Sequence, residues 1–248
     1  MKITLCLIVW NELQGCQADV PQLPIQEFDE VFAVDGGSTD GTVEYLERAG
    51  IPIYRQPKRG LNAAYVHANH IATGDAVVVF FPKGTLPCED ILKFRRLFEQ
   101  GYDLVVASRQ IKGSVNEEDS HFFRPRKWAV WGFGALAAIM WCRDGVWIRD
   151  VLHGFKGWRR SAFEKMNILD HGLSIDIEMV VRAYKLRLSR TEFPTKEFSR
   201  GYGDTHFKIW PTGKKLFSYF WFELFRVNTE LHCGRRGARQ ILTDIDDP

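Results

Sequence analysis

Carboxylate and hydroxyl side chains are concentrated in one short segment near the N-terminus, Val34-Asp35-Gly36-Gly37-Ser38-Thr39-Asp40-Gly41-Thr42. An apolar run precedes it and a helical pattern follows it, which predicts a turn from a strand into a helix. At a strand end, the Asp35 carboxylate can accept hydrogen bonds from the base or ribose of a nucleotide. The glycines allow the backbone to approach a ligand closely, and Asp40 or Thr42 can cap the helix. The competing interpretation is a tight turn with a helix cap and no ligand.

Two further polar segments follow apolar runs. Trp10-Asn11-Glu12 comes after the first apolar run, and Phe81-Pro82-Lys83 begins at the end of the most continuous one, residues 76–81. Ligands of open α/β sheets bind at the carboxyl ends of strands, so we expect these segments to share a cleft with Asp35. There the Lys83 ammonium could neutralise charge on a diphosphate, and a solvated surface lysine is the competing interpretation.

Strands that alternate with helices predict an α/β fold, with a mostly parallel sheet flanked by helices on both faces. The predicted strands are residues 5–9, 31–34, 51–54, 76–81 and 104–107, and the predicted helices are residues 42–49, 61–72 and 90–100. The second half of the chain is less regular and contains two aromatic-rich helical stretches, 128–142 and 214–226. A membrane-spanning helix needs about 20 apolar residues, so these stretches are predicted not to cross a membrane.

The composition is that of a globular protein with a substantial core. The 248 residues are 45% hydrophobic and 26% charged, and the net charge of +2 is too small to indicate nucleic-acid binding. The 5 cysteines are odd in number and form no Cys-x-x-Cys pair. This pattern disfavours a disulfide framework or a zinc site and favours a reducing compartment.

Four motifs in order resemble the family 2 glycosyltransferases. They are Val9-Trp10-Asn11-Glu12, the loop at residues 35–42, Arg59-Gly60-Leu61-Asn62 at the start of a helix, and Ala72-Thr73-Gly74-Asp75 at its end. The resemblance implies a GT-A (Rossmann-like) fold and a nucleotide-sugar donor. It also implies the residues that contact this donor, which are Trp10, Glu12, Asp35, Ser38, Asp40, Gly60, Pro82, Lys83, Arg200 and His206.

The second half of the chain resembles the dolichol-phosphate mannosyltransferase branch of that family. The segments that carry this resemblance are Ala107-Ser108-Arg109, residues 150–160 and residues 200–205. The branch implies an inverting reaction in which a polyprenyl (dolichyl-type) phosphate attacks the anomeric carbon of the sugar. By the same resemblance, Arg109 and Arg126 hold the lipid phosphate, and Arg200 and His206 meet the donor diphosphate.

The chain departs from the family at the motif that holds the metal ion. The usual Asp-x-Asp, which binds Mg²⁺ or Mn²⁺, aligns with Phe81-Pro82-Lys83, and neither Phe nor Lys suits such an ion. Three interpretations are open: Lys83 is the cation that replaces the metal, the metal binds elsewhere, or the protein binds nucleotide-sugars without catalysis. Because Asp35, Ser38 and Asp40 retain the family pattern, we predict transfer without a metal cofactor.

Two acceptor chemistries remain open. A sugar hydroxyl needs a general base, for which Asp176 is the candidate, with Glu178 two residues further on. A phosphate acceptor is already anionic and needs cations, which a basic cluster supplies at Arg109, Arg124, Arg126 and Lys127. The predicted catalytic residues are therefore Lys83, Asp176, Arg109 and Arg126, and the leading acceptor is a polyprenyl phosphate, with a glycan hydroxyl as the alternative.

The predicted domain organisation follows from these motifs. Residues 1–210 form the GT-A domain, with a donor half at 1–108 and an acceptor half at 109–210, and residues 211–248 form an amphipathic helix and tail. Basic residues flank both aromatic-rich stretches, which suits helices that lie on a membrane surface, although each stripe could equally belong to a core. We therefore predict a peripheral protein at the cytoplasmic face of a membrane, without a nucleic-acid partner.

Overall fold

The computed structural model describes residues 1–120, 123–170, 175–199 and 209–225. The chain divides into two compact units, residues 1–206 and 207–248. In the first unit the described strands are β1 (Ile3–Val9), β2 (Glu30–Asp35), β3 (Ile53–Arg55), β4 (Ala76–Phe80), β5 (Leu104–Ser108), β6 (Lys156–Arg159) and β7 (Arg190–Pro194). Its described helices are α1 (Leu13–Asp19), α2 (Thr42–Arg48), α3 (Leu61–Ile71), α4 (Leu92–Glu99), α5 (Pro125–Trp141), α6 (Arg160–Met166) and α7 (Ile175–Lys185). The described part of the second unit is α8 (Ile209–Phe225).

The strands form one sheet in the order β3-β2-β1-β4-β6-β5-β7. All neighbouring pairs are parallel except those of β6, which runs antiparallel to both β4 and β5. The prediction of a mostly parallel α/β sheet is therefore confirmed. Strands β1, β4 and β5 are buried along their whole length, which is why they read as continuous apolar runs rather than alternating ones.

The sheet brings the polar segments of the N-terminal half to one edge. Strand β1 lies between β2 and β4 and is parallel to both, with Val9 opposite Asp35 and Leu7 opposite Phe80. The three chain exits that follow these strands therefore leave the sheet at the same, carboxyl edge. This arrangement places Asp35 and the turn that carries Lys83 on opposite sides of the β1 exit.

Strand β6 brings the second half of the chain to the same edge. Because β6 is antiparallel, its first residue, Lys156, lies opposite Val79 of β4 and Val106 of β5, near the carboxyl ends of those strands. The segment that precedes β6 therefore enters from the carboxyl edge. Phe155, the last residue before β6, packs against Phe80 and Phe94 in the core and anchors this segment.

Candidate active site

The exits of β1 and β2 are joined by side-chain to backbone hydrogen bonds. Asn11 N donates to Ser38 Oγ at 2.8 Å, and Thr39 N donates to Asn11 Oδ1 at 2.8 Å. Leu13 N, at the start of α1, donates to Asp40 Oδ2 at 3.0 Å. Ser38 and Asp40, both predicted to bind the donor, therefore hold the two loops together, and contact with a donor stays a prediction for them.

Asp35 shapes the turn that it begins. Its side chain is buried, and its carboxylate accepts hydrogen bonds from Gly37 N at 2.9 Å and Ser38 N at 3.0 Å. A Cβ on Gly36 would lie 3.1 Å from Trp10 Cβ, so the absence of a side chain lets Trp10 lie over this turn. Trp10 is 49% exposed. A half-exposed indole beside a carboxylate that retains further acceptor capacity is suited to contact a nucleotide.

Helix α1 supports the turn that carries Lys83. A Cβ on Gly15 would lie 2.1 Å from Pro82 O, so only glycine allows the helix to approach this turn so closely. The buried Asp19 carboxylate accepts a hydrogen bond from Gly84 N at 2.8 Å. Burial raises the pKa of Asp19, and the backbone hydrogen bonds from Gly84 and Lys83 oppose that rise. The start of α1 is bound to the β2 exit, so one short helix connects all three loops.

Phe81 and Lys83 contact each other where the family pattern has two metal-binding carboxylates. The Phe81 ring lies 6.5 Å from the Tyr65 ring, centroid to centroid, and it packs on Gly154, where a Cβ would lie 2.6 Å from Phe81 Cε2. Lys83 Nζ lies 4.9 Å from the Phe81 ring centroid, within the range of a cation–π contact. The phenyl ring thus fills the space beneath the ammonium and helps to hold it at the carboxyl edge.

These residues do not fit a divalent metal ion. Neither side chain supplies an oxygen ligand, and a lysine ammonium repels a second cation. Within the described ranges, no group of three or more His, Cys, Asp or Glu side chains is arranged to hold a metal.

Asp176, in the first turn of α7, is bound to a buried lysine. Lys156 Nζ donates to Asp176 Oδ1 at 2.9 Å, to Asp176 O at 2.8 Å and to Val151 O at 3.2 Å. The Lys156 side chain is fully buried and that of Asp176 is 17% exposed. Burial lowers the pKa of Lys156, and the charge of Asp176 opposes this. The ion pair fixes the position of Asp176 relative to β6.

Asn62 is a site-organising residue whose contacts were not predicted. Its buried side chain donates to Leu169 O and Glu178 Oε2, both at 3.1 Å, and accepts from Ile175 N at 3.0 Å. It therefore links the start of α3 to the start of α7, next to Asp176. Glu178, named beside Asp176 in the prediction of a general base, is buried and pairs with Arg182. The signal in the sequence was an asparagine just after the Gly60 helix start, but its partners are more than 100 residues away.

Arg109 lies between two carboxylates. Its Nε and Nη2 donate to Asp150 at 2.8 and 2.9 Å, and its Nη1 donates to Glu197 at 2.6 Å. Burial alone would raise the pKa of Asp150, but the charge and hydrogen bonds of Arg109 lower it to about 2. The predicted phosphate-binding arginine is therefore ion-paired within the protein, a partnership that the local sequence around it does not reveal.

The other members of the basic cluster are ion-paired too. Arg126 pairs with Glu117 at 2.8 Å, and Asp119 pairs with both Arg124 at 3.1 Å and Lys127 at 2.5 Å. Gln110 Nε2 donates to Lys127 O at 3.5 Å, which brings the β5 exit beside the start of α5. Arg109 and Arg126 thus lie on neighbouring segments, but acidic partners balance the charge of the cluster, and contact with a lipid phosphate stays a prediction.

The sequence comparison identifies the family. A family model described as Glycosyl transferase family 2 matches residues 5–166, more than half of the chain. The chain belongs to glycosyl transferase family 2. The match runs from within β1 through β6 and includes the three loops joined by α1.

Two curated relatives are similar over most of this family 2 chain. Glycosyltransferase AglJ of Haloferax volcanii is 27% identical over 205 residues, which are 79% of this chain and 63% of the relative. The dolichol-phosphate mannosyltransferase of Pyrococcus furiosus is 26% identical over 230 residues, 88% of this chain and 62% of the relative. This chain therefore spans less than two thirds of the length of both relatives.

A solved structure shows the same fold. Glucosyl-3-phosphoglycerate synthase of Mycobacterium tuberculosis, crystallised with Mn²⁺ and UDP-glucose, matches with a TM-score of 0.63 and 16% identity. The match covers 90% of this chain and 78% of the synthase chain. At this identity the likeness is evidence of fold, and it confirms the GT-A architecture predicted for a family 2 chain.

Of the remaining predicted donor residues, the structure describes Gly60, Glu12 and Pro82. Gly60 precedes α3 with φ 113°, a left-handed backbone conformation that favours glycine, and its contact with a donor stays a prediction. Arg200 and His206 lie outside the described residues. Glu12 and Pro82 lie in the β1 and β4 exits, at the same edge as Asp35 and Lys83.

Proposed function

We propose that the protein transfers a sugar from a nucleoside diphosphate sugar to a polyprenyl phosphate, with inversion and without a metal ion. The observation that supports a nucleotide-sugar donor is the convergence of the β1, β2 and β4 exits on α1, with the Lys83 ammonium over the Phe81 ring. The likeness to the dolichol-phosphate mannosyltransferase of Pyrococcus furiosus supports the acceptor half.

The proposed reaction is a direct displacement. An oxygen of the lipid phosphate attacks the anomeric carbon from the face opposite the nucleoside diphosphate. As the new bond forms, the bond from that carbon to the β-phosphate oxygen breaks, and its electron pair stays on the oxygen. The Lys83 ammonium stabilises the charge that develops on this leaving group, a contribution that typically changes kcat by about 10²–10³-fold. An anionic acceptor has no proton to lose, so Asp176 is not needed as a base.

A sugar hydroxyl is the second candidate acceptor, and one observation favours it. All four members of the basic cluster are paired with carboxylates, so the acceptor side is not strongly cationic in this structure. In that reaction Asp176 would take the proton of the hydroxyl. Asp176→Asn separates the two reactions, because a hydroxyl acceptor would lose turnover by orders of magnitude while a phosphate acceptor would retain it.

The experiment that tests the proposal is a transfer assay with a panel of labelled nucleotide-sugars. Each donor is offered with undecaprenyl phosphate in detergent, or with a soluble sugar acceptor, and the label is partitioned between organic and aqueous phases. We expect label in the organic phase for one donor and inversion at the anomeric carbon by NMR. Label only on the sugar acceptor would establish the second candidate, and donor binding without transfer or hydrolysis would indicate an inactive binding protein.

Helix α5 supports a proposal for membrane contact. Its exposed face carries Trp128, Trp131 and Ile139, which are 53%, 54% and 76% exposed. Arg126 and Lys127 lie in its first turn, and Arg143 follows two residues after its end. Such a helix is suited to lie in the interface of a lipid surface that holds the acceptor. In the parts of the chain that the structure describes, no helix is both long and apolar enough to span a bilayer. We place this contact at the cytoplasmic face, in keeping with the four cysteines of the described ranges, which form no disulfide.

A further inference from the structure

We propose that Glu197 determines acceptor specificity: its carboxylate holds one edge of the Arg109 guanidinium, and the acceptor phosphate binds by replacing it. The inference rests on the proposed function, because it takes an anionic acceptor. It concerns a residue that lies just after β7 and belongs to none of the motifs that identified the donor site.

The two carboxylates on Arg109 are held very differently. Asp150 has no exposed side-chain surface, and it accepts hydrogen bonds from Arg109 N, Nε and Nη2 at 2.8, 2.8 and 2.9 Å. Glu197 accepts from Arg109 only through Nη1, and its side chain is 19% exposed. Asp150 therefore fixes the guanidinium in place, and Glu197 is the partner that another anion can displace.

The backbone at Glu197 stays in place when the side chain leaves. Glu197 N donates to Val115 O at 2.9 Å, and the next residue, Phe198, donates from its backbone N to Thr85 O at 2.9 Å. Displacement therefore needs only rotation of the glutamate side chain about its own bonds, without rearrangement of the sheet or of the Lys83 turn.

The charge balance gives the exchange its selectivity. Arg109 faces two carboxylates, so the Glu197 charge competes with a phosphate for the Nη1 edge of the guanidinium. When Glu197 turns away, the neutral Arg109–Asp150 pair remains and Nη1 can donate a charge-assisted hydrogen bond to a phosphate oxygen. A neutral acceptor makes a weaker bond with Nη1, because only the donor is then charged, and this bond does not compensate for the loss of the Glu197 carboxylate. Glu197 thus acts against acceptors without an anionic group.

The test is the affinity of the protein for geranyl phosphate, a short isoprenyl phosphate, measured by calorimetry without donor. We expect Glu197→Gln to tighten the Kd for geranyl phosphate about tenfold by weakening one competing charge-assisted bond. The Kd for the nucleotide-sugar should stay unchanged. Glu164→Gln, which removes the same charge from an exposed position on α6, should leave both constants unchanged. Inorganic phosphate and geraniol, titrated separately, show whether the headgroup or the chain carries the binding.

Equal or weaker geranyl phosphate binding by a folded Glu197→Gln variant would overturn the proposal and leave Glu197 as a structural tie. Glu197→Asp, which keeps the charge but shortens the reach to Arg109, should also tighten binding and guards against misfolding of the first variant. If neither the wild type nor any variant binds geranyl phosphate, the exchange is excluded together with the phosphate acceptor. In that case the transfer assay with a sugar acceptor still decides the wider function.

Discussion

At the scale of single residues, Phe81 and Lys83 carry the proposal that an ammonium rather than a metal ion faces the donor diphosphate. The ring packs on Gly154 and beside Tyr65, and the ammonium lies over the ring. An apolar support and a lysine were visible in the sequence as a departure from the metal-binding pattern. The packing of Phe81 on Gly154 and beside Tyr65 was not visible, because these residues are distant in the chain and the packing depends on how β4 and β6 pair.

The first prediction concerns Lys83→Met, which keeps much of the apolar stem and removes the charge. We expect kcat to fall by about 10²–10³-fold, since the leaving group loses its charge-assisted partner. Lys165→Met, at an exposed position on α6, is the matched control and should leave kcat unchanged. Initial rates at saturating donor measure the effect, and a Lys83→Met variant with wild-type kcat would exclude Lys83 from the chemistry.

The second prediction concerns the acid stability that Asp150 confers. The folded pKa of Asp150, about 2, lies below its unfolded pKa of about 3.9. Its contribution to stability is therefore complete above the unfolded pKa and is lost as pH falls through about 2. We expect Asp150→Asn to flatten the decline in unfolding free energy between about pH 5 and pH 2 by ~2 kcal/mol. Urea unfolding across this range measures it.

Asp144 provides the control for that experiment. A hydrogen bond from Arg190 lowers the pKa of Asp144 to about 2 as well, but its side chain is 41% exposed. Solvent screens such a pair, so Asp144→Asn should change the acid limb far less than Asp150→Asn does. If the unfolding free energies of the wild type and Asp150→Asn declined equally with pH below about 5, the buried ion pair would be contradicted.

At the scale of elements, α1 is the part that brings the donor loops together. It was not predicted, because a helix of 7 residues with one buried glycine leaves almost no periodic pattern. At its start, Leu13 N donates a hydrogen bond to Asp40 of the β2 exit. Further along the helix, Gly15 packs against the turn that carries Lys83, and Asp19 accepts a hydrogen bond from it.

The third prediction is therefore that Gly15→Ala is destabilising, although alanine normally favours a helix over glycine by about 1 kcal/mol. Its Cβ would meet Pro82 O at 2.1 Å, so we expect a loss of about 1–3 kcal/mol and a raised KM for the donor. Gly132→Ala in α5, where nothing lies within 4 Å of the added Cβ, should be neutral or stabilising. Thermal unfolding measures the effect, and an equal rise in the melting temperature of both variants would contradict the close approach of α1 to the turn.

The sequence predicts best the strands that contain an uninterrupted run of apolar residues. Strands β1 to β5 were each predicted to within two residues at either end, because each contains a run of apolar residues. Strand β6 was missed because it has only four residues, begins with a buried lysine and ends with an arginine. Lys156 is tolerated there because it pairs with Asp176, a contact that only the folded chain supplies.

At the scale of the whole molecule, the exposed aromatic face of α5 sets how the protein would reach a lipid acceptor. The fourth prediction is that Trp128→Ser with Trp131→Ser reduces sedimentation with anionic phospholipid vesicles at least several-fold, since interfacial binding scales with buried apolar area. Leu92→Ser, which removes a residue 41% exposed on α4, is the control and should sediment as the wild type does. Vesicle binding that survives the double substitution would exclude α5 as the contact.

The most direct test of the central proposal is the initial rate of sugar transfer in excess EDTA compared with the rate in Mn²⁺, for the donor and acceptor pair that the panel identifies. If the Lys83 ammonium stabilises the departing diphosphate, the wild type transfers sugar at the same rate in both conditions, and Lys83→Met is slow in both. Transfer that EDTA abolishes and Mn²⁺ restores would show that a metal ion does this work and would contradict the role given to Lys83.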